Sequence, residues 1–262
     1  MTSAIDGSAG TLFPRRLPVA FRRVAAGAQL AELVQWWWLS EWSLPPGESS
    51  QQHLLAFPAS NLAVEDSLVG LSGPTTRASV RVLRGTGWVV GALLRPAALA
   101  ALAPDPRAIR NQYPTLPEPE LHAAVVGCAA AGLEAGIAPV EAWLAERVGP
   151  VGEEALLANR MVTVAGTDPL VRTVGDLAAA VHVSQRTLHR LADRYVGLTP
   201  YALIRRRRLQ EAARDIREQP EESLAAIASR HDFTDQAHLA REFTRAIGYS
   251  PTEYRRRAGQ PA

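Results

Sequence analysis

The stretch Val183–Arg207, VSQRTLHRLADRYVGLTPYALIRRR, has a second version in Thr234–Arg257, TDQAHLAREFTRAIGYSPTEYRRR. Ser184 pairs with Asp235, Leu188 with Leu239, Arg190 with Arg241, Arg194 with Arg245, Gly197 with Gly248, Thr199 with Ser250 and Pro200 with Pro251, always 51 residues apart. A constant offset marks one structural unit used twice. The small-residue segments ahead of them, Gly175–Val181 and Leu224–Arg230, correspond as well once an extra residue is allowed in the second turn.

Each copy reads as helix, tight turn, helix. After the turn, Ser184 or Asp235 offers a side-chain oxygen that opens the second helix. Leu188 and Leu191 anchor that helix in the first copy, Leu239 and Phe243 in the second. The polar faces are left over: Gln185, Arg186, His189, Arg190 and Arg194 in one, Gln236, His238, Arg241 and Arg245 in the other. In a major groove arginine matches a guanine edge and glutamine an adenine edge, so these are candidate DNA contacts. His182 and His231 fall at the turns and read as structural, and the wide spacing of the histidines offers no metal site.

The helix between the copies, Tyr201–Ile216, carries four consecutive arginines. At about 100° per residue Tyr201, Ala202, Ile204, Leu209, Ala212, Ala213 and Ile216 share about half the circumference. Arg205 and Arg208 fall inside that arc, Arg206 at its edge and Arg207 opposite. A connector about 22 Å long is expected to help hold two reading helices about one DNA turn, 34 Å, apart. Arg206 and Arg207 are then expected to face phosphates or solvent. Arg205 and Arg208 are expected to pair with acids such as Asp176 or Asp193, because unpaired buried charge is costly.

All 28 basic side chains are arginine. From residue 166 onward 16 of them face 12 acidic residues, whereas residues 1–165 hold 12 against 14. The basic C-terminal part suits an anionic partner. The single Cys128, in an alanine-rich segment, excludes a disulfide framework and a cysteine zinc site. The N-terminus lacks the apolar core of a signal peptide, and Arg95 and Pro96 interrupt the longest apolar run, so a cytoplasmic protein with no membrane partner is expected.

Residues 50–95 hold short apolar runs, HLLAF, NLAVE, SLVGL, ASVRVL and GWVVGALL, separated by turn residues; they read as strands of an antiparallel sheet or barrel. Upstream, AELVQWWWLSEW supplies four of the six tryptophans, for the core or for a ligand cavity. RNQYPTLPEPE and ERVGPVGEE read as connectors, and the segments between and after them as helices forming a bridge and a dimer interface. The expected architecture is α+β and multidomain: a β-rich sheet or barrel over 1–112, a helical bridge over 113–157, and an all-α unit over 158–262 with two helix-turn-helix motifs joined by a linker helix.

The residues from about 158 to 257 resemble the AraC/XylS family of bacterial transcription regulators. The likeness rests on DLAAAVHVSQRTLHRL, on RLQEAARDI, and on DFTDQAHLAREFTRAIGYSPTEYRR, with Phe233, Gln236, Arg241, Phe243, Gly248, Pro251 and Tyr254 placed as in the family signature. The resemblance implies base-reading roles for Arg186, His189 and Arg190 and for Gln236, His238 and Arg241. Arg208 and Leu209 match the family's arginine-leucine pair. Two departures stand out: Ala192 replaces a large aromatic, and Asp232 replaces a turn glycine, which Asp tolerates better than most residues. The N-terminal part more faintly resembles small cupin-like sensor domains. That implies an effector or dimerisation role, with Trp88, Arg95, Asn61 and His53 as pocket candidates and no ligand residue transferable.

Enzyme readings find little support. Residues 1–165 hold only His53 and His122, far apart, where a metal-dependent cupin enzyme needs clustered ligands. Cys128 lacks the basic neighbours of a reactive thiol. Gly85, Gly87 and Gly91 are one residue too widely spaced for a dinucleotide loop and suit tight turns and close strand packing. The expectation is therefore a DNA-binding transcription regulator with no catalytic residues, cofactor or metal. Its partner is double-stranded DNA; a small-molecule effector, a second copy of the chain and, for an activator, RNA polymerase complete the expected partners.

Overall fold

The computed structural model describes residues 19–56 and 58–258. Eight strands come first: β1 (Val19–Ala25), β2 (Val34–Ser43), β3 (Ser49–Leu54), β4 (Ser60–Glu65), β5 (Val69–Ser72), β6 (Ser79–Arg84), β7 (Thr86–Leu94) and, after helix α1 (Pro96–Leu102), β8 (Thr115–Leu116). Six of them form an antiparallel sheet in the order β1-β2-β7-β4-β5-β8, while β3 and β6 pair alone. Four of the five expected strand runs supply β4 to β7; of HLLAF only His53 and Leu54 are strand, at the end of β3, and Phe57 lies outside the described residues. The tryptophan segment, read from the sequence as core packing or a cavity lining, is the ten-residue strand β2.

Strand alternation divides the tryptophans between two faces. Trp37 and Leu39 lie with Leu62, Val64, Val90, Ala92 and Leu94 in one buried core. Their neighbours Trp38 and Trp42 lie on the opposite face, where a Cβ at Gly91 would stand 2.0 Å from the Trp38 ring. Gly85, with φ of 54°, makes the β6–β7 turn. Close packing and a tight turn are thus the uses these glycines have. The β3–β6 pair stands over that second face, since Arg81 of β6 pairs with Glu65 of β4, which also accepts a bond from the Tyr113 hydroxyl at 2.6 Å. Burial, followed by Glu65, holds the Tyr113 hydroxyl protonated far above the usual phenol range.

Helices cover the first face. α1, α2 (Pro119–Ala129) and α3 (Ile137–Val148) contribute Ala97, Ala98, Leu99, Leu121, Val125, Val140 and Leu144 to the sheet's own core. α4 (Glu153–Thr167) turns away from it and places Ala158, Met161 and Ala165 in a second core with α5 (Val174–Ala180) and α6 (Gln185–Tyr195). The helices expected as a bridge therefore divide between two cores. Ala192, the small residue where an aromatic is usual, is fully buried in the second.

α7 (Pro200–Glu218), α8 (Leu224–Arg230), α9 (Gln236–Ile247) and α10 (Pro251–Ala258) complete the chain. α7 has 19 residues, hence about 28 Å rather than the expected 22 Å. Thr199 caps it and Pro200 occupies its first turn, where a missing N–H costs nothing. It gives Leu203 and Ile204 to the second core and Leu209, Ala212, Ala213 and Ile216 to a third, shared with α8, α9 and α10.

This central position corrects the expectation for the arginine run. Over its middle the helix is packed on several sides, so Arg206, Arg207 and Arg208 are all buried, at 7, 5 and 7% exposure. Arg207 donates to the Val171 carbonyl at 2.5 Å and to Glu211 at 2.7 Å. Burial lowers the Arg206 guanidinium to about 10, still charged at neutral pH. Arg205 pairs with an acid as expected, but with Glu242 of α9 at 3.0 Å. Arg208 serves neither Asp176 nor Asp193: it donates to the carbonyls of His231 and Asp232 and lies over the Phe233 ring. It thereby satisfies groups left open where α8 ends.

Candidate nucleic-acid interface

Local hydrogen bonds explain why each copy folds as it does. Thr173 and Asp176 form a reciprocal capping box at the start of α5. Ser184 Oγ accepts the Thr187 N–H at 3.1 Å to start α6, and Asp235 Oδ1 accepts the His238 N–H at 2.6 Å to start α9. Between the helices of each pair stands one residue in the left-handed region, His182 at φ 59° and Asp232 at φ 55°. The Asp for Gly departure is accommodated, and the turn in the first copy uses His182 in the same conformation.

α6 buries Leu188, Leu191, Ala192 and Tyr195, and α9 buries Leu239, Phe243, Ala246 and Ile247. Gln185, Arg186, His189, Arg190 and Arg194 are exposed on α6, as are Gln236, Arg241 and Arg245 on α9. Among the described residues Arg186 and Arg241 form no ion pair, so their guanidinium groups are available to an anionic partner. The others are partly engaged. Arg190 and Arg194 each reach Glu154 of α4 at 3.0 Å, and Arg245 leans on Glu242 at 3.6 Å. His238 is half-buried, edge-on to Phe233 at 5.6 Å and against Thr234. The burial of Arg206 and Arg207 removes them from this surface.

His231 is structural, as its turn position suggested. Its Nε2 lies 2.8 Å from Asp215 and its Nδ1 3.7 Å from Glu211, both on α7. Burial disfavours the imidazolium, yet the two carboxylates outweigh it and raise the His231 pKa above its ordinary value.

The two copies also meet directly. Arg172, just before α5, pairs with Asp232 of the second turn at 3.0 Å. This pairing and the Glu154 clamp escaped sequence reading because each joins residues far apart in the chain through exposed side chains that no periodicity marks.

The pocket candidates of the N-terminal part do not converge. Asn61 accepts from Trp38 Nε1 at 3.0 Å on the β3–β6 side of the sheet, whereas Trp88 packs against the helix-covered core. Arg95 begins α1 and touches Thr163, and His53 packs on Tyr249 with ring centres 4.9 Å apart. His122 contacts the Glu65 carbonyl at 3.1 Å. Among the described residues no cluster of histidine, cysteine and carboxylate could hold a metal ion, and no helix is long and apolar enough to cross a membrane.

A family profile described as a helix-turn-helix domain matches residues 177–257. The transcriptional activator RhaS of Pectobacterium carotovorum subsp. carotovorum is 34% identical over 84 residues, 32% of this chain and 30% of that protein. A putative AraC-like transcription regulator of Streptomyces antibioticus is 35% identical over 118 residues, 45% of this chain and 37% of that one. Residues 177–257 thus match a helix-turn-helix domain, in a chain that is similar over part of its length to these regulators. The chain spans only about a third of the length of these relatives. A crystal structure of a transcriptional regulator from Chromobacterium violaceum, of the AraC-type DNA-binding domain-containing proteins, aligns at 26% identity with 42% of this chain and 95% of its own, at a TM-score of 0.35. Ahead of the helix-turn-helix match, residues 22–113 match a domain of unknown function, DUF6597. The first match begins within α5 and takes in α6 to α9, and the second begins within β1 and takes in β2 to β7.

Proposed function

We propose that this chain is a sequence-specific DNA-binding regulator of transcription that lays α6 and α9 in successive major grooves. One observation carries the reading: two equivalent capped helices, joined by α7, each present an exposed face with an unpaired arginine, Arg186 or Arg241. Gln185, Arg186, His189 and Arg190 on α6, with Gln236, His238 and Arg241 on α9, read base edges. Arg194 and Arg245, farther along each helix, meet phosphates, which orient without specifying sequence. We assign the reading domain to residues 158–262 and place its work in the cytoplasm, on double-stranded DNA, with no catalytic step.

The N-terminal part serves as the sensor in this proposal. Trp38, Trp42 and Asn61 share the face beneath β3–β6, where an effector would meet aromatic rings and an amide. A metabolite that quenches tryptophan fluorescence and changes DNA affinity supports this role. The exposed Val80 and Val82, alternate residues of β6, favour a second reading, in which this part joins two copies of the chain. RNA polymerase is a partner if the outcome is activation.

The test of DNA recognition is binding to fragments of the protein's own upstream region and to random DNA of equal length across a salt series. Salt-sensitive preference for one fragment is expected. Equal binding to all fragments contradicts sequence recognition.

A further inference from the structure

The two recognition helices are tied together a second time by loops of the N-terminal part. Gly197, where α6 hands over to α7, offers its carbonyl to Arg110, which donates from Nε at 3.1 Å and from Nη2 at 2.5 Å. The same loop packs its backbone so closely that a Cβ on Gly197 would stand 2.7 Å from Pro106, and Arg107 pairs with Asp193 of α6 at 3.1 Å. The next residue, Asn111, carries the link across. Its Oδ1 accepts the Thr76 N–H at 2.8 Å and the Thr76 hydroxyl at 3.2 Å, and its backbone N–H donates to the Pro74 carbonyl at 3.1 Å.

Two residues beyond Thr76, the Ala78 N–H donates to the Arg245 carbonyl at 2.8 Å. The Ala56 N–H donates to the Ala246 carbonyl, also at 2.8 Å, and Ala56 is buried in the third core. These two carbonyls belong to the last turn of α9, where helix carbonyls lack partners of their own. A continuous strut therefore runs from Gly197 through Arg110, Asn111 and Thr76 to Ala78 and the end of α9.

We infer that this strut sets the spacing between the two recognition helices, so that Asn111 and Arg110 are positioning residues for operator spacing. The inference rests on the proposed DNA-binding function. Within the C-terminal part the described residues join the two units through α7 and the exposed Arg172–Asp232 pair, and such pairs hold little. Two bodies attached along one helix can still rock about it. A tie at a distance from that helix closes a triangle and removes the motion. One base pair moves a half-site by about 3.4 Å and rotates it by about 35°, so a rigid pair discriminates sharply between spacings.

The full-length chain is used to enrich a site from a randomised duplex pool, and versions of that site with one base pair inserted or removed between its halves are then compared. Asn111→Gly keeps the left-handed conformation at φ 57° while deleting the side-chain oxygen. Arg110→Gln breaks the strut at its other end and supplies an independent variant. The expected result is that wild type strongly prefers the native spacing and that each variant narrows this preference by about three- to tenfold. A merely structural loss would lower affinity for all spacings in equal ratio. Unchanged spacing ratios in both variants, or a wild type indifferent to spacing, overturn the inference alone. A pool that yields no enriched sequence overturns the functional reading together with it.

Discussion

Arg190 of α6 stands 3.0 Å from Glu154 of α4, so a side chain proposed to read a base is paired with a carboxylate. The same carboxylate holds Arg194, and Arg190 is the leading cause of the lowered Glu154 pKa. DNA must displace this acid to engage either arginine. Exposed pairs of this kind contribute about 0.2–1 kcal/mol each. Glu154→Gln is therefore expected to raise affinity for the specific site about two- to tenfold, measured by fluorescence anisotropy at fixed salt. Unchanged affinity would mean that neither arginine moves on binding.

In the proposed mode of binding, Arg186 and Arg241 carry the other half of the base reading. Replacing either with Ala should cost about 1–3 kcal/mol on the specific site and relax preference at one base position. Equal losses on specific and random DNA would make the residue a phosphate contact instead.

Arg207→Ala separates the buried arrangement from the phosphate role expected from the helical winding. With its guanidinium on Val171 and Glu211, its loss should destabilise the fold by about 2–3 kcal/mol and leave the salt dependence of DNA binding unchanged. A slope reduced by about one, with stability intact, would return Arg207 to the DNA surface.

Arg208→Met keeps most of the apolar stem but strips the donors from the carbonyls of His231 and Asp232. Urea denaturation should show a loss of about 2–4 kcal/mol, because two carbonyls at a buried helix end lose a charged partner. An unaltered midpoint would show that water replaces the guanidinium without penalty.

The pH dependence follows from His231. Its pKa is raised in the folded chain, so its contribution is complete below about 6.5, the ordinary value, and is lost as pH rises through the elevated one. Wild type should lose melting temperature across that rise, and His231→Gln should lose less. Parallel curves would show that Asp215 and Glu211 do not favour the imidazolium.

What the sequence disclosed and what it hid divide along physical lines. The repeat, the caps Ser184 and Asp235, and the anchors Leu188 and Leu239 were legible because each is a local rule acting within one helix. The left-handed Asp232 was legible for the same reason. Arg206 and Arg207 were misplaced because the winding argument assumes a helix with one wet side, and α7 lies between two cores. The strand character of β2 was hidden because three adjacent tryptophans mask the alternation that sorts Trp37 from Trp38. Glu154, Arg110 and Asn111 could not be found at all, since their partners lie far away in sequence.

Entry of α6 and α9 into successive major grooves is tested by hydroxyl-radical and base-modification footprinting on the preferred site. The account expects two protected major-groove segments on one face of the duplex, about 10–10.5 base pairs apart, with the first lost in Arg186→Ala and the second in Arg241→Ala. A single protected segment, or one footprint altered equally by both substitutions, would contradict it.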